Sequence, residues 1–156
     1  MLVAIMPQRH AMTDTDTDNS LKWLLRVIGG AELCAIPFIA FPLSWMAWVH
    51  DHLLGLGSLP DRPIIEYMAR SLSALYAVHG AMIVRMSFDI ARFRPLVSFL
   101  GWCHVALGLA VFGSDASAGL PWYWVMGEGA GIAACGVIIV ILCRLKSSRR
   151  ESHLSK

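Results

Sequence analysis

Three formal charges and two imidazoles stand inside stretches otherwise built of apolar residues: Glu32, Arg70 and Glu128, with His79 and His104. An ionised side chain in such surroundings costs about 3 kcal/mol or more, so each needs a partner and marks a site by default. The chemistry open to these residue types is ion pairing, proton transfer along a Glu–His contact, or metal ligation by imidazole. No Ser-His-Asp arrangement, P-loop or zincin motif accompanies them. The residues therefore predict binding and assign no catalytic group.

Depth along a helix, at a rise of about 1.5 Å per residue, sorts these groups into two sets. Arg70 and Glu128 each fall about seven residues from one end of their stretch, roughly 10 Å below the same boundary. A carboxylate is the best partner for a guanidinium, so an Arg70–Glu128 pair is expected. Glu66, four residues before Arg70 on one helical face, offers a second partner. Such a pair is either a structural lock on helix register or the polar floor of a pocket for an acidic or carbonyl-bearing ligand. Glu32, His79 and His104 form the second set, near mid-depth. They predict a Glu–His hydrogen bond, with a proton relay as its use, or ligation of a b-type haem by His79 and His104. Rotation at about 100° per residue sets His79 half a turn from Arg70, among Leu75, Tyr76 and Met82, so the two cannot face one cleft. His104 shares a face with Gly101 and Gly108, and small residues at that spacing predict helix packing. The leading expectation is thus satisfied core histidines and no cofactor, with haem b as the alternative.

Three other patterns carry less chemistry. His50-Asp51-His52 suggests a metal cluster, but positions i and i+2 of a helix diverge by about 200°, so an interfacial helix end is expected and no metal site. Gly127-Glu128-Gly129-Ala130-Gly131 resembles a nucleotide loop only in its glycines; no strand precedes it, and with Ala133, Ala134 and Gly136 it predicts close helix packing. Cys34, Cys103, Cys135 and Cys143 all lie within the apolar stretches and form no C-x-x-C, so they read as small hydrophobes.

These residues need helices to position them, and the composition says of what kind. Of 156 residues, 56% are hydrophobic and 15% charged, against about 25% charged in soluble domains, and the mean hydropathy is +0.58. A soluble enzyme, a nucleic-acid-binding module and a secreted disulfide scaffold are excluded. The pattern predicts an all-α polytopic membrane protein, a four-transmembrane-helix bundle with spans over 22–48, 64–86, 95–114 and 122–145. The first is long enough to tilt, and Pro37 and Pro42 are expected to kink it. Residues 1–21, with the run Thr13-Asp14-Thr15-Asp16-Thr17-Asp18-Asn19-Ser20, are expected as a disordered polar tail, and 146–156 as a basic one. Lys22, Arg26, Arg85, Arg92, Arg94, Arg144, Lys146, Arg149 and Arg150 gather on one side, while the other offers Arg62. The positive-inside rule then predicts cytoplasmic N- and C-termini, in a bacterial inner membrane. Trp45, Trp48, Trp122, Tyr123 and Trp124 form an aromatic belt on the outer face.

The layout resembles the small bacterial four-span membrane proteins of the DoxX-like group and related domains of unknown function. The resemblance covers residues 24–145 and rests on Gly29-Gly30, on Arg70-Ser-Leu-Ser-Ala-Leu-Tyr76-Ala-Val-His-Gly80, on Phe99-Leu-Gly101 through Gly108, and on Gly119-Leu-Pro121 before Glu128. It implies a four-helix membrane fold; some members of the group are linked to quinone or thiol redox complexes, and many have no assigned activity. The histidine set has no match in that pattern. Residues and resemblance together lead to the expectation of a non-catalytic integral membrane protein with a polar intramembrane pocket for a partner or an amphipathic small molecule, a quinone or lipid. The expected partners are the lipid bilayer and a membrane protein or second copy, with no nucleic acid. A haem redox protein and a subunit of an oligomeric transporter are the alternatives.

Overall fold

The structure, a computed structural model, describes residues 14–154, with side chains over 17–145. Every regular element among these residues is helical. Helix α1 covers Asp14–Leu33; a 3₁₀ turn at Ile36–Ile39, helix α2 at Leu43–Trp48 and a π turn at Val49–Leu53 follow. Helices α3 (Pro63–Ser87) and α4 (Ile90–Ser117) are joined by Phe88 and Asp89 alone. Helix α5 (Trp122–Val125) runs through a π turn at Met126–Ala130 into α6 (Gly131–Leu154).

Local chemistry explains these boundaries. The stretch 22–48 is not one kinked helix but several pieces. Pro37 and Pro42 have no N–H to donate, and the N–H groups of Ala40 and Phe41 both turn back to the carbonyl of Pro37, each at 3.1 Å. Helix α3 opens on Pro63, at the first helical position, where a missing N–H costs nothing. Helix α4 begins five residues before Pro95 because the Asp89 carboxylate accepts from the backbone N–H of Arg92 at 3.1 Å, an N-cap. The expectation of a disordered tail over 1–21 is corrected for its second half. Residues 14–21 are helical, Leu21 is fully buried, and Asp18 pairs with Arg94 at 2.6 Å; contacts of this kind supply the stability that composition alone lacks. Residues 1–13 of that expectation lie outside the described residues. At the other end α6 continues to Leu154, through most of 146–156.

Two helices, Ile90–Ser117 and Trp122–Leu145, are long and apolar enough to cross a membrane, and only 22% and 28% of their apolar windows are buried inside the molecule. Leu96, Phe99 and Leu109 of α4 and Val137, Ile138 and Ile141 of α6 face outward.

The helices form two antiparallel layers. In the first, α1 lies against α3, and Gly29 and Gly80 let the backbones meet: a Cβ on Gly80 would stand 2.7 Å from the carbonyl oxygen of Gly29. In the second, α4 lies against α6, where a Cβ on Gly136 would stand 2.6 Å from the carbonyl oxygen of Gly101. The layers join at the end that holds the Phe88–Asp89 link. There Leu21, Leu25, Ile83, Met86, Ile90, Val97, Leu100, Ile139 and Cys143 form the buried core. Arg26 closes the same end, its Nε donating to Ser87 Oγ at 3.4 Å.

Candidate functional site

Beyond that core the layers part around a cavity of about 420 Å³. Glu32 comes from α1, Tyr76 and His79 from α3, His104 from α4, Glu128 from the π turn and Cys135 from α6. The described lining holds two carboxylates and two imidazoles, and neither Lys nor Arg.

Each imidazole is fixed by its own layer. His79 Nδ1 donates to Glu32 Oε2 at 2.7 Å, a bond within the first layer, and the Glu32 side chain is only 16% exposed. Charge-assisted bonds of this length contribute about 1.5–3 kcal/mol, less where water reaches the pair. His104 is 5% exposed, and its Nδ1 donates to the carbonyl oxygen of Leu100, one turn back on α4, at 3.0 Å. A carbonyl oxygen only accepts, so the proton of neutral His104 sits on Nδ1 and the lone pair on Nε2. The two rings face each other across the layer boundary, 5.6 Å between centroids and 26° from parallel.

Glu128 reaches the cavity from a π turn, whose wider winding shifts the phase of the residues beyond it. The glycines of this segment divide by role. A Cβ on Gly129 would strike the backbone of Phe112, so Gly129 serves helix packing. Gly127 and Gly131 line the cavity, and a Cβ on either would meet nothing within 4 Å. Close packing, expected for the whole run, accounts for only part of it.

Arg70 belongs elsewhere. The expected Arg70–Glu128 pair does not form; Arg70 Nη2 donates to Glu66 Oε1 at 2.7 Å, and Nη1 to the carbonyl oxygen of Ile39 at 3.1 Å. The break after Leu33 releases carbonyls that a continuous helix would have satisfied, and Arg70 takes one of them. Arg70 turns to the chain break, whereas Glu128 turns to the interlayer space. Helical rotation separates His79 from Arg70 in the same way, and the cavity lies on the His79 side.

The remaining polar residues engage locally. His50 Nδ1 donates to the carbonyl oxygen of Gly57 at 2.7 Å; His52 Nδ1 donates to that of Trp48 at 3.2 Å, and its ring stacks on the Trp48 indole. All four cysteines are free thiols. Tyr76 and Cys135 were not expected at the site. Tyr76 lies three residues before His79, and that helical spacing was the signal available for it; Cys135 had none, because its role depends on how α6 is turned. No protein-family model matches the chain, and no solved structure matches it.

Proposed function

We propose that this chain is a small polytopic protein of the bacterial inner membrane, with four spans and cytoplasmic termini, that holds an amphipathic small molecule such as a quinone or lipid between its two helical layers. It does so without catalysis of its own. The observation that carries the reading is the 2.7 Å Glu32–His79 bond beside the buried His104, in a cavity framed by helices whose outer faces are apolar. A polar cluster of this kind inside an apolar envelope is what a binding site for a molecule with a polar head and an apolar body requires. Outward-facing apolar residues on α3, among them Leu72, Leu75, Val78 and Met82, extend the apolar surface beyond the two most apolar helices and support a membrane setting. The broken first stretch fits a span whose freed backbone groups are satisfied from a neighbour, as Arg70 satisfies Ile39. The DoxX-like pattern over residues 24–145 is part of the same proposal, and quinone-linked redox complexes are the setting it suggests.

The test is extraction of the full-length protein from its membrane in mild detergent, followed by mass spectrometry of the small molecules that travel with it. A stoichiometric amphiphile, lost in Glu32→Ala and His79→Ala protein that remains monodisperse, is the expected result. The reading fails if nothing co-purifies and no lipid or quinone probe binds, or if both variants retain the molecule unchanged.

A further inference from the structure

We infer that the groove between α3 and α4, beside their link, holds an anionic phospholipid, with the phosphate between Arg85 and Arg92 and an acyl chain along the apolar floor. The inference rests on the membrane setting proposed above. It does not depend on the interlayer cavity, whose lining shares no residue with this groove.

Charge makes the first half of the argument. Other cations at this end have partners: Arg94 pairs with Asp18, and Arg26 donates to Ser87. Arg85 and Arg92 pair with no carboxylate among the described residues. Asp89, the nearest acid in sequence, accepts from the backbone N–H of Arg92 and caps α4. Both guanidiniums lie instead over one ring, each with its Cζ 5.6 Å from the centroid of Phe93. Each contact is favourable by itself, yet together they hold two like charges within twice that distance of one another. Like charges at such range repel unless an anion lies beside them. A phosphate is the anion that guanidinium donors match best, because its oxygens accept their paired N–H groups.

The groove supplies the second half. Val78, Ala81, Met82 and Arg85 recur at the spacing of one helical face, and Leu96 lies one turn beyond Arg92 on α4. With Met86 and Phe93 they line an open trough of about 460 Å³. Val78, Met82 and Leu96 are exposed, so the described chain leaves it uncovered. Although only two residues join α3 to α4, the helices share few contacts, and the trough is the space between them. It extends two turns along α3 from Arg85 to Val78, roughly 10 Å. In the proposed orientation it runs from the cytoplasmic surface into the hydrocarbon, with the arginines at headgroup level, where anionic lipids gather. A zwitterionic lipid brings its own cation to the arginines and fits less well. A second copy of this chain fits worse, because a two-fold contact would set Arg85 and Arg92 against themselves.

The experiment incubates full-length protein in detergent with equimolar phosphatidylglycerol and phosphatidylcholine and counts retained lipids by native mass spectrometry. One phosphatidylglycerol per chain is expected, enriched at least about tenfold over phosphatidylcholine, since two arginines act together. Arg85→Gln/Arg92→Gln should abolish the preference. Arg144→Gln/Lys146→Gln, which removes the same charge from α6, should keep it. If the first pair does not stay monodisperse, Arg92→Gln alone, at an exposed position in the first turn of α4, should lower the enrichment several-fold. The inference is overturned if wild-type protein shows no preference, or if both charge pairs lose it equally, which would mean diffuse attraction to the basic end. It is also overturned if the preference survives in Arg85→Gln/Arg92→Gln while a wild-type dimer becomes monomeric, because a second copy then fills the groove. A carbonate wash of the cell membranes separates these failures from that of the setting. Protein released by the wash brings down the membrane reading and the lipid site together, whereas protein that stays and shows no preference brings down the lipid site alone.

Discussion

The space between the two layers is filled in two different ways. At the end near the Phe88–Asp89 link it holds apolar side chains in contact, with Leu21, Leu25, Ile83, Val97 and Ile139 fully buried. A few turns farther along the same four helices it holds Glu32, His79, His104 and Glu128 around open volume. Apolar contact alone would have closed the bundle throughout. The difference separates residues that make the structure from residues that the structure holds ready. The glycines repeat the lesson at smaller scale: Gly29, Gly80, Gly101 and Gly136 stand where backbones touch, whereas Gly127 and Gly131 face open space.

Substitutions on either side of this division should differ in size and in sign. The largest loss is expected from Ile83→Ala, which empties a fully buried position and should cost about 2–5 kcal/mol through lost packing. Thermal or SDS titration in detergent measures it, and a wild-type midpoint would mean that this end is not the core. Gly80→Val comes next at about 1–3 kcal/mol, because the added carbons meet the Gly29 backbone and backbone cannot step aside. In the polar half, Glu32→Ala should cost about 1 kcal/mol by leaving His79 without its acceptor. A double-mutant cycle with His79→Ala isolates that contribution, and zero coupling would show the bond to be unimportant to stability. The smallest effect carries the opposite sign. Gly131→Ala should stabilise the protein by up to about 1 kcal/mol, as Ala does in an open helical position, while weakening whatever binds beside it. If Gly131→Ala and Gly80→Ala destabilise alike, the division between packing glycines and cavity glycines is wrong.

Much of the helical layout was legible in the sequence because its signals are local. Pro63 marks the start of α3, and the uncharged run 95–114 falls within α4. Asp89 was legible in principle as an N-cap, but a hydropathy reading begins where charge ends and so starts the helix at Pro95. Pro37 and Pro42 signal a kink; that Arg70 reaches the Ile39 carbonyl at the break from another helix has no sequence signature. The Arg70–Glu128 expectation shows the limit most directly. Depth is one coordinate of a residue on a helix, rotation is the second, and the azimuth of the helix against its neighbours is the third. Sequence supplies the first two, which is how His79 was separated from Arg70. The third decides which faces meet, and it put Glu128 with the histidines. By helical rotation alone, His104 shares one face with Gly101 and Gly108. In the structure Gly101 and Gly108 lie against α6 while the ring reaches past them to His79.

The two-residue link between α3 and α4 sets the two layers side by side in the outline of a clip. Its jaws are the far ends of the layers and its fulcrum is the buried core beside Phe88 and Asp89. Across the jaws runs a single-bond clasp, the Tyr123 hydroxyl donating to the carbonyl oxygen of Leu54 at 2.8 Å, where Gly55 turns at φ +64°. The two layers are thus tied at both ends, by the packed core at one and by this hydrogen bond at the other, with the polar residues of the cavity between.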